Sequence, residues 1–320
     1  MTRFKLICSM VFAVCLSWAW PTLAAFPDRP VTLIVPYPPG AGTDGIARAL
    51  AVALGNEWKQ TVLVQNISGA DGMIGSQHVL KQPHDGYTML FQIPQMLLWH
   101  WTMPKANVEI LKDFKLISKI QQTPMAVVVP PGNPANSMEE LISNCKKSGE
   151  TPCSIGTATT MGELIGKQLM AAADVKKSIF IPYRGGSPMM TDVLGNHVTL
   201  GLPSGAAALA QRNNQALKVL AVTSPSRFKL MPDVPTLKEI GYDVEMVTWY
   251  GLLVPKNTPQ DAYASIVQAV QKVSTDKTLL DTIRVGGAEP VFDGPQRFTQ
   301  DVEKELKVLG PLIQRFPSDR

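Results

Sequence analysis

Residues 31–54 read VTLIVPYPPGAGTDGIARALAVAL. The run opens on Val31 to Val35, apolar and β-branched, as a strand buried on both faces does. It turns through Pro38, Pro39, Gly40 and Gly42. Ile46, Leu50 and Leu54 then fall at i, i+4 and i+8, the stripe of a helix. Gly55 is placed to end that helix, and Thr43 or Asp44 to cap its start. Strand, glycine turn and helix together form half of a βαβ unit, which predicts α/β architecture with parallel strands.

The design recurs along the chain. TVLVQN (61–66) leads through ISGADG (67–72) to MIGSQHVLKQ (73–82), stopped by Pro83. PCSIG (152–156) leads through TATT to MGELIGKQLMAAA (161–173). SIFIPY (178–183) leads through RGGSP to MMTDVLGN (189–196), with Ser187 reading as N-cap and Pro188 as the first helical residue. Each short turn of Gly, Ser or Thr ends at a helix N-terminus, where amides lack partners and the helix dipole is positive. Several such ends at the carboxyl edge of a sheet hold a small anion without needing Arg or Lys. Gly40 and Gly42 let the backbone come close to it.

Gly40 to Gly45 also fits GxGxxG, the dinucleotide fingerprint. That reading needs an acid at the end of the second strand to hold a ribose, and this strand ends in Gln65-Asn66. Pro38 and Pro39 stand where a strand would pass straight into the loop. GELIGKQ (162–168) misses a phosphate loop by one residue and has Gln168 in place of Ser or Thr. No GxSxG occurs, and the four histidines show no metal spacing. The expectation is a binding protein rather than an enzyme, with no cofactor and no metal.

The chain of 320 residues carries 30 basic and 26 acidic side chains, with no basic run of five, so nothing points to nucleic acid. Residues 1–25, MTRFKLICSMVFAVCLSWAWPTLAA, have Arg3 and Lys5, an apolar stretch and then small residues. This is a secretory signal in form, cut after Ala24 or Ala25, and its core is shorter than the ~20 apolar residues of a membrane span. Its loss leaves 28 bases against 26 acids and about 295 residues, room for two domains. Export argues against a nucleotide enzyme, because pyridine nucleotides are cytoplasmic. Cys8 and Cys15 leave with the signal. Cys145 and Cys153, around a Lys-Ser-Gly-Glu turn in an oxidising compartment, are expected to form a disulfide.

Two further segments, PMAVVVPPGNP (124–134) and TWYGLLVPKNTP (248–259), read as buried strands bordered by Pro. The simplest architecture has the chain cross between lobes at each. Lobe 1 is then 26–124 plus 250–320 and lobe 2 is 125–249, a two-lobed α/β protein with a hinge and a cleft.

FPDRPVTLIVPYPPGAGTDGIARALA (26–51), NISGADGMIGSQHVLKQPHDGYTML (66–90) and LKVLAVTSPSRFKLMPDVPTLKEIGYDVEMVTWYGLLVPKNTP (217–259) together resemble the Bug family. These are periplasmic solute-binding receptors of tripartite tricarboxylate transporters. The likeness is collinear over essentially the whole mature chain. It implies a hinge-closing monomer of Venus-flytrap type that captures a small molecule, usually a carboxylate, and delivers it to a membrane permease. By position, the first ligand loop is Tyr37 to Asp44, with Gly40, Ala41, Gly42 and the Thr43 hydroxyl. The second is Ser68 to Met73, with Gly69, Ala70 and Gly72. In lobe 2, Gly156 to Met161 contributes Thr157 and Thr159, and Tyr183, Arg184, Gly185 and Ser204 complete the wall.

The sequence also departs from that pattern. Ala41 stands where the family commonly has Gly. Asp71 adds a carboxylate that either points away or pairs with a cationic ligand. Gln92, Gln95, Met96 and Trp99 replace small hydroxyl residues. They either enlarge the ligand wall or pack a helix into the core. Arg184 either pairs with a carboxylate or lies solvated at the lobe edge. The same fold could instead present its ligand to a sensor protein.

Overall fold

The computed structural model describes residues 26–147 and 151–317; the predicted signal segment 1–25 lies outside the described residues. In chain order the strands of the first half are β1 (Val31–Val35), β2 (Val62–Asn66), β3 (Thr88–Gln92), β4 (Phe114–Pro124) and β5 (Ala126–Val129). They continue as β6 (Cys153–Thr157), β7 (Ser178–Pro182), β8 (Leu200–Gly201), β9 (Lys218–Val222), β10 (Val247–Pro255) and β11 (Glu289–Asp293). The longer helices of the first half are α1 (Gly42–Trp58), α2 (Met73–Lys81) and α3 (Met138–Lys147). They are followed by α4 (Thr160–Ala172), α5 (Gly186–Leu194), α6 (Gly205–Asn213), α7 (Gln260–Val273), α8 (Lys277–Val285) and α9 (Pro295–Arg315). No helix among the described residues is long and apolar enough to cross a membrane.

Two sheets form, ordered β11-β4-β10-β3-β1-β2 and β7-β6-β8-β5-β9. Strand alternation explains how each is covered on both faces. Val31, Leu33 and Val35 join Ile46, Leu50 and Leu54 of α1 and Ile266 and Ile283 of α7 and α8. Ile34, between them, enters the opposite core with Val79 and with Phe298 and Val302 of α9. In the second sheet Val127 and Val129 face one core, and Ala126 and Val128 the other. The two-lobed α/β reading therefore holds.

Strand directions place the functional edge. β1 runs parallel to β2 and β3, and β10 runs antiparallel to β3 and β4, so β4 ends at the same edge as β1 to β3. In the second sheet β6 is parallel to β7 and β8, and β5 is antiparallel to β8, so β5 starts at the carboxyl edge of β6 to β8. The chain thus leaves one carboxyl edge at Pro124 and enters the other at Ala126. The return is at the same place, because Val247 pairs with Pro124. Buried Thr223 ties the two crossings. Its hydroxyl accepts from the Met125 amide at 2.9 Å and donates to the Met246 carbonyl at 2.6 Å.

Several local expectations are corrected. α1 continues past Gly55 to Trp58 and ends at Lys59, which takes the left-handed conformation at φ 56°. Gly55 serves close packing instead, since a Cβ there would lie 3.1 Å from the Gln60 carbonyl. Neither Thr43 nor Asp44 caps α1; the N-cap is Ala41, with no side-chain bond. α5 starts at Gly186, not after Ser187, because Gly185 at φ 110° makes the turn earlier. The Met96 to Trp99 run lies in the core, each residue 2 % exposed or less. Cys145 and Cys153 are joined by a disulfide.

Candidate functional site

The first loop is built around Asp44. This carboxylate is 5 % exposed. Its Oδ2 accepts from the Gly40 amide at 2.9 Å and from Arg48 Nε at 3.0 Å. Its Oδ1 accepts from Asn66 Nδ2 at 3.0 Å. The Arg48 hydrogen bond is the largest cause that holds this carboxyl down at about 2, against the opposing effect of burial. Asn66, the last residue of β2 and the pairing partner of Val35, also donates to the Tyr37 carbonyl at 3.0 Å. Gly40 takes φ 79°, which glycine adopts without strain, and so brings its amide round to Asp44.

The second loop carries four consecutive residues at positive φ: Gly69, Ala70, Asp71 and Gly72. Ala70 and Asp71 pay strain for that conformation, and the surroundings must hold it. The holding chain is polar. Tyr37 Oη donates to Gln92 Oε1 at 2.5 Å, Gln92 Nε2 donates to Ser76 Oγ at 3.0 Å, and Ser76 Oγ donates to the Gly72 carbonyl at 3.0 Å. Gly72 is required here, since a Cβ would stand 2.8 Å from the Tyr37 hydroxyl. Burial first, then Asp71 and Tyr250, push the Tyr37 hydroxyl well above its ordinary value, so it remains a donor. Gln92 is fully buried behind both loops and Met73 is in the core, whereas Ser68, Ala70 and Asp71 are exposed.

What the two loops leave open is the start of α1. The Ala41 amide bonds to the Pro38 carbonyl, and the Asp44 and Gly45 amides to the Ala41 carbonyl. The Gly42 and Thr43 amides between them have no partner among the described residues. Thr43 is 5 % exposed and its hydroxyl also lacks one. A buried donor without an acceptor costs about 1–3 kcal/mol unless a ligand supplies one. The third glycine of the GxGxxG pattern does not work as a dinucleotide fingerprint requires. Gly45 is exposed, with nothing within 4 Å of where its Cβ would be, so it permits no close helix–strand packing.

The second sheet presents its loops at its own carboxyl edge. Thr157 ends β6, fully buried. Thr159 caps α4, accepting from the Gly162 amide at 3.0 Å, and Ser204 caps α6, accepting from the Ala207 amide at 3.3 Å. Tyr183 donates to Asp192 at 2.6 Å; burial and then that carboxylate push its hydroxyl up to about 12. Arg184 and Gly185 are exposed. Close contacts tie these elements to the crossings. A Cβ at Gly162 would meet Met125 at 3.0 Å, and one at Gly205 would meet Thr123 at 3.0 Å. A Cβ at Gly42, in the other lobe, would meet the Tyr250 hydroxyl of β10 at 3.1 Å.

Arg48, Asn66, Ser76, Asp192 and Tyr250 take part in this region and were not among the sequence candidates. Asn66 carried a signal, as the polar end of a strand adjoining β1. A cavity of about 230 Å³ lies beside the loops, walled by Leu98, Trp101, Leu164, Ile313 and Phe316. From α4 it takes Thr160, Glu163 and Leu164, and it shares no residue with the lobe 1 loops, so the unpaired donors at the start of α1 lie outside it.

Comparison with known proteins agrees with the two-lobed α/β fold. The model of the tripartite tricarboxylate transporter family receptor matches residues 46–317. Protein BugT of Bordetella pertussis is 29 % identical, over 98 % of this chain and 97 % of that one. A TctC solute binding protein from Polaromonas, solved with no ligand, superposes with a TM-score of 0.79 at 29 % identity, covering 91 % of this chain and 100 % of that chain. R. palustris Rpa4515, solved with adipate, superposes with a TM-score of 0.77 at 27 % identity, covering 90 % and 97 %.

Proposed function

Since the chain belongs to the tripartite tricarboxylate transporter receptor family, whose members are solute-binding receptors and not enzymes, we propose that it captures a small carboxylate between its lobes. The observation that carries the reading is the start of α1. Two free amides, which only donate, and the orphaned Thr43 hydroxyl, which can donate, make a donor-rich set at one point. A carboxylate oxygen, which only accepts, completes that set. An amide nitrogen does not. Rpa4515 with adipate supports a dicarboxylate as the first candidate.

In this reading lobe 1 is 26–124 with 250–320, lobe 2 is 125–249, and closure brings Thr157, Thr159, Tyr183, Arg184, Gly185 and Ser204 over the ligand. The receptor works as a monomer in the periplasm and hands its ligand to a tripartite permease. Positive φ at Gly185 and the exposed start of α5 supply a further set of amides from the closing side.

The test is a thermal-shift screen of the mature chain against mono- and dicarboxylates, their amides, amino acids and nucleotides. A carboxylate at 100 times its Kd is expected to stabilise the fold by about 2.7 kcal/mol. Thr43→Val is expected to leave the ligand-free melting temperature unchanged or raised, because the hydroxyl is unpaired, and to weaken carboxylate binding about tenfold. Stabilisation by nucleotides alone would overturn the reading.

A further inference from the structure

Two tyrosines stand behind the first ligand loop, and they differ in one respect. Tyr37 spends its hydroxyl proton inside the protein, on Gln92. The Tyr250 hydroxyl has no hydrogen-bond partner among the described residues, although its ring is packed edge-on to Phe91 with centroids 5.8 Å apart. Its hydroxyl is not sealed in either, for the residue keeps partial exposure and does not number among the buried orphaned groups.

Its position is specific. A Cβ on Gly42 would lie 3.1 Å from the Tyr250 hydroxyl, so this oxygen stands beside Gly42, the first residue of α1, whose amide has no partner among the described residues. The strand is deformed there. The β10–β4 register shifts between Tyr250 and Gly251, and bulges of this kind re-aim the side chain they carry. The bulge is locked from behind, because a Cβ on Gly251 would come within 2.5 Å of Phe298. Burial raises the Tyr250 hydroxyl above its ordinary value, so it is protonated and donates at any physiological pH.

We propose that Tyr250 contacts the ligand directly, donating its hydroxyl proton to the carboxylate held at the start of α1. This rests on the carboxylate reading above. It adds a donor from the second crossing strand, so that ligand occupancy is felt by the segment on which the lobes turn. It also sharpens selectivity: with Tyr250 included, each of these groups can donate to a carboxylate oxygen, while the two backbone amides can accept nothing from an amide NH2.

The experiment is calorimetric titration of the wild type and Tyr250→Phe with adipate and with the four- and five-carbon straight-chain dicarboxylates, alongside melting of the ligand-free proteins. Loss of a hydrogen bond to a charged acceptor is expected to weaken the best of these about tenfold or more. The ligand-free melting temperature should stay unchanged, since the hydroxyl has no partner within the fold. Equal affinities for the two proteins would overturn the assignment while leaving the carboxylate reading intact. A lowered melting temperature in Tyr250→Phe would make the hydroxyl structural and overturn it as well. If the wild type binds none of the dicarboxylates, the carboxylate reading fails, and this inference fails with it.

Discussion

The loops at the two carboxyl edges are built by different means. In lobe 1 side chains reach across elements. Asp44 of α1 draws in Asn66 of β2 beside its sequence neighbours Gly40 and Arg48, and Gln92 of β3 links Tyr37 through Ser76 of α2 to Gly72. In lobe 2 the bonds of three candidate side chains stay local. Thr159 and Ser204 cap their own helices, and Tyr183 reaches Asp192 nine residues on. The stretch from Arg184 to Pro188 is exposed, with no side-chain cap at Gly185. A cradle braced from several directions keeps its shape when empty, whereas a set of capped helix ends completes itself on closing. On the proposed function, the difference predicts that lobe 1 is preorganised for the ligand and lobe 2 supplies the closing face.

Substitutions of the lobe 1 bracing groups should therefore cost both stability and binding, and those of the lobe 2 caps less stability. The largest effect is expected from Gly72→Val. It forces a β-branched residue to φ 90° and drives a Cβ to 2.8 Å from the Tyr37 hydroxyl. Ligand binding should be lost and stability should fall by about 3 kcal/mol, read by chemical denaturation. Asp44→Ala comes next. It strips the acceptor from three donors, and a loss of about 2 kcal/mol with a tenfold or greater drop in affinity is expected.

The same residue predicts an acid limit. Its carboxyl is held at about 2 in the fold against an ordinary 3.8, so its contribution is complete above the unfolded value. It is lost as pH falls from about 4 towards 2. Half-exposed Arg48 discounts its size to on the order of 1–2 kcal/mol. Asp44→Ala should flatten the stability profile over that window; an unaltered profile would remove Asp44 from the brace. Gln92→Leu should cost about 1–2 kcal/mol and a few-fold in affinity, because it uncouples the second loop from the first. Thr159→Ala and Ser204→Ala should each cost only about 1 kcal/mol of stability. A loss there as large as for Asp44→Ala would break the contrast between the lobes.

Much of this was legible in the sequence where the cause is local. The Ile46, Leu50 and Leu54 stripe, the glycine turns and the paired cysteines are short-range patterns, and the fold contains them as expected. What was missed depends on distant partners. β4 reads FKLISKIQQTP, in which Lys119 suggests a solvated position. In the fold it is 5 % exposed, paired with Asp293 of β11 and with Asp301 of α9, 182 residues away. Asp44 was legible as a loop residue but not as a brace, because Arg48 lies one turn on in the same helix but the third donor, Asn66, arrives from β2 only after the sheet has formed. Tyr250 carried no local signal at all. Its place beside Gly42 follows from strand order and a bulge.

The claim that lobe 1 is ready and lobe 2 closes is tested most directly by amide hydrogen exchange, resolved by residue, with and without a saturating dicarboxylate. The account predicts slow exchange at Gly40, Ala41, Asp44 and Gly72 in the free protein, because each amide is already bonded. It predicts fast exchange at 184–187, slowed strongly once ligand is bound. Fast exchange throughout the lobe 1 loops of the free protein, or ligand protection confined to them, would contradict it.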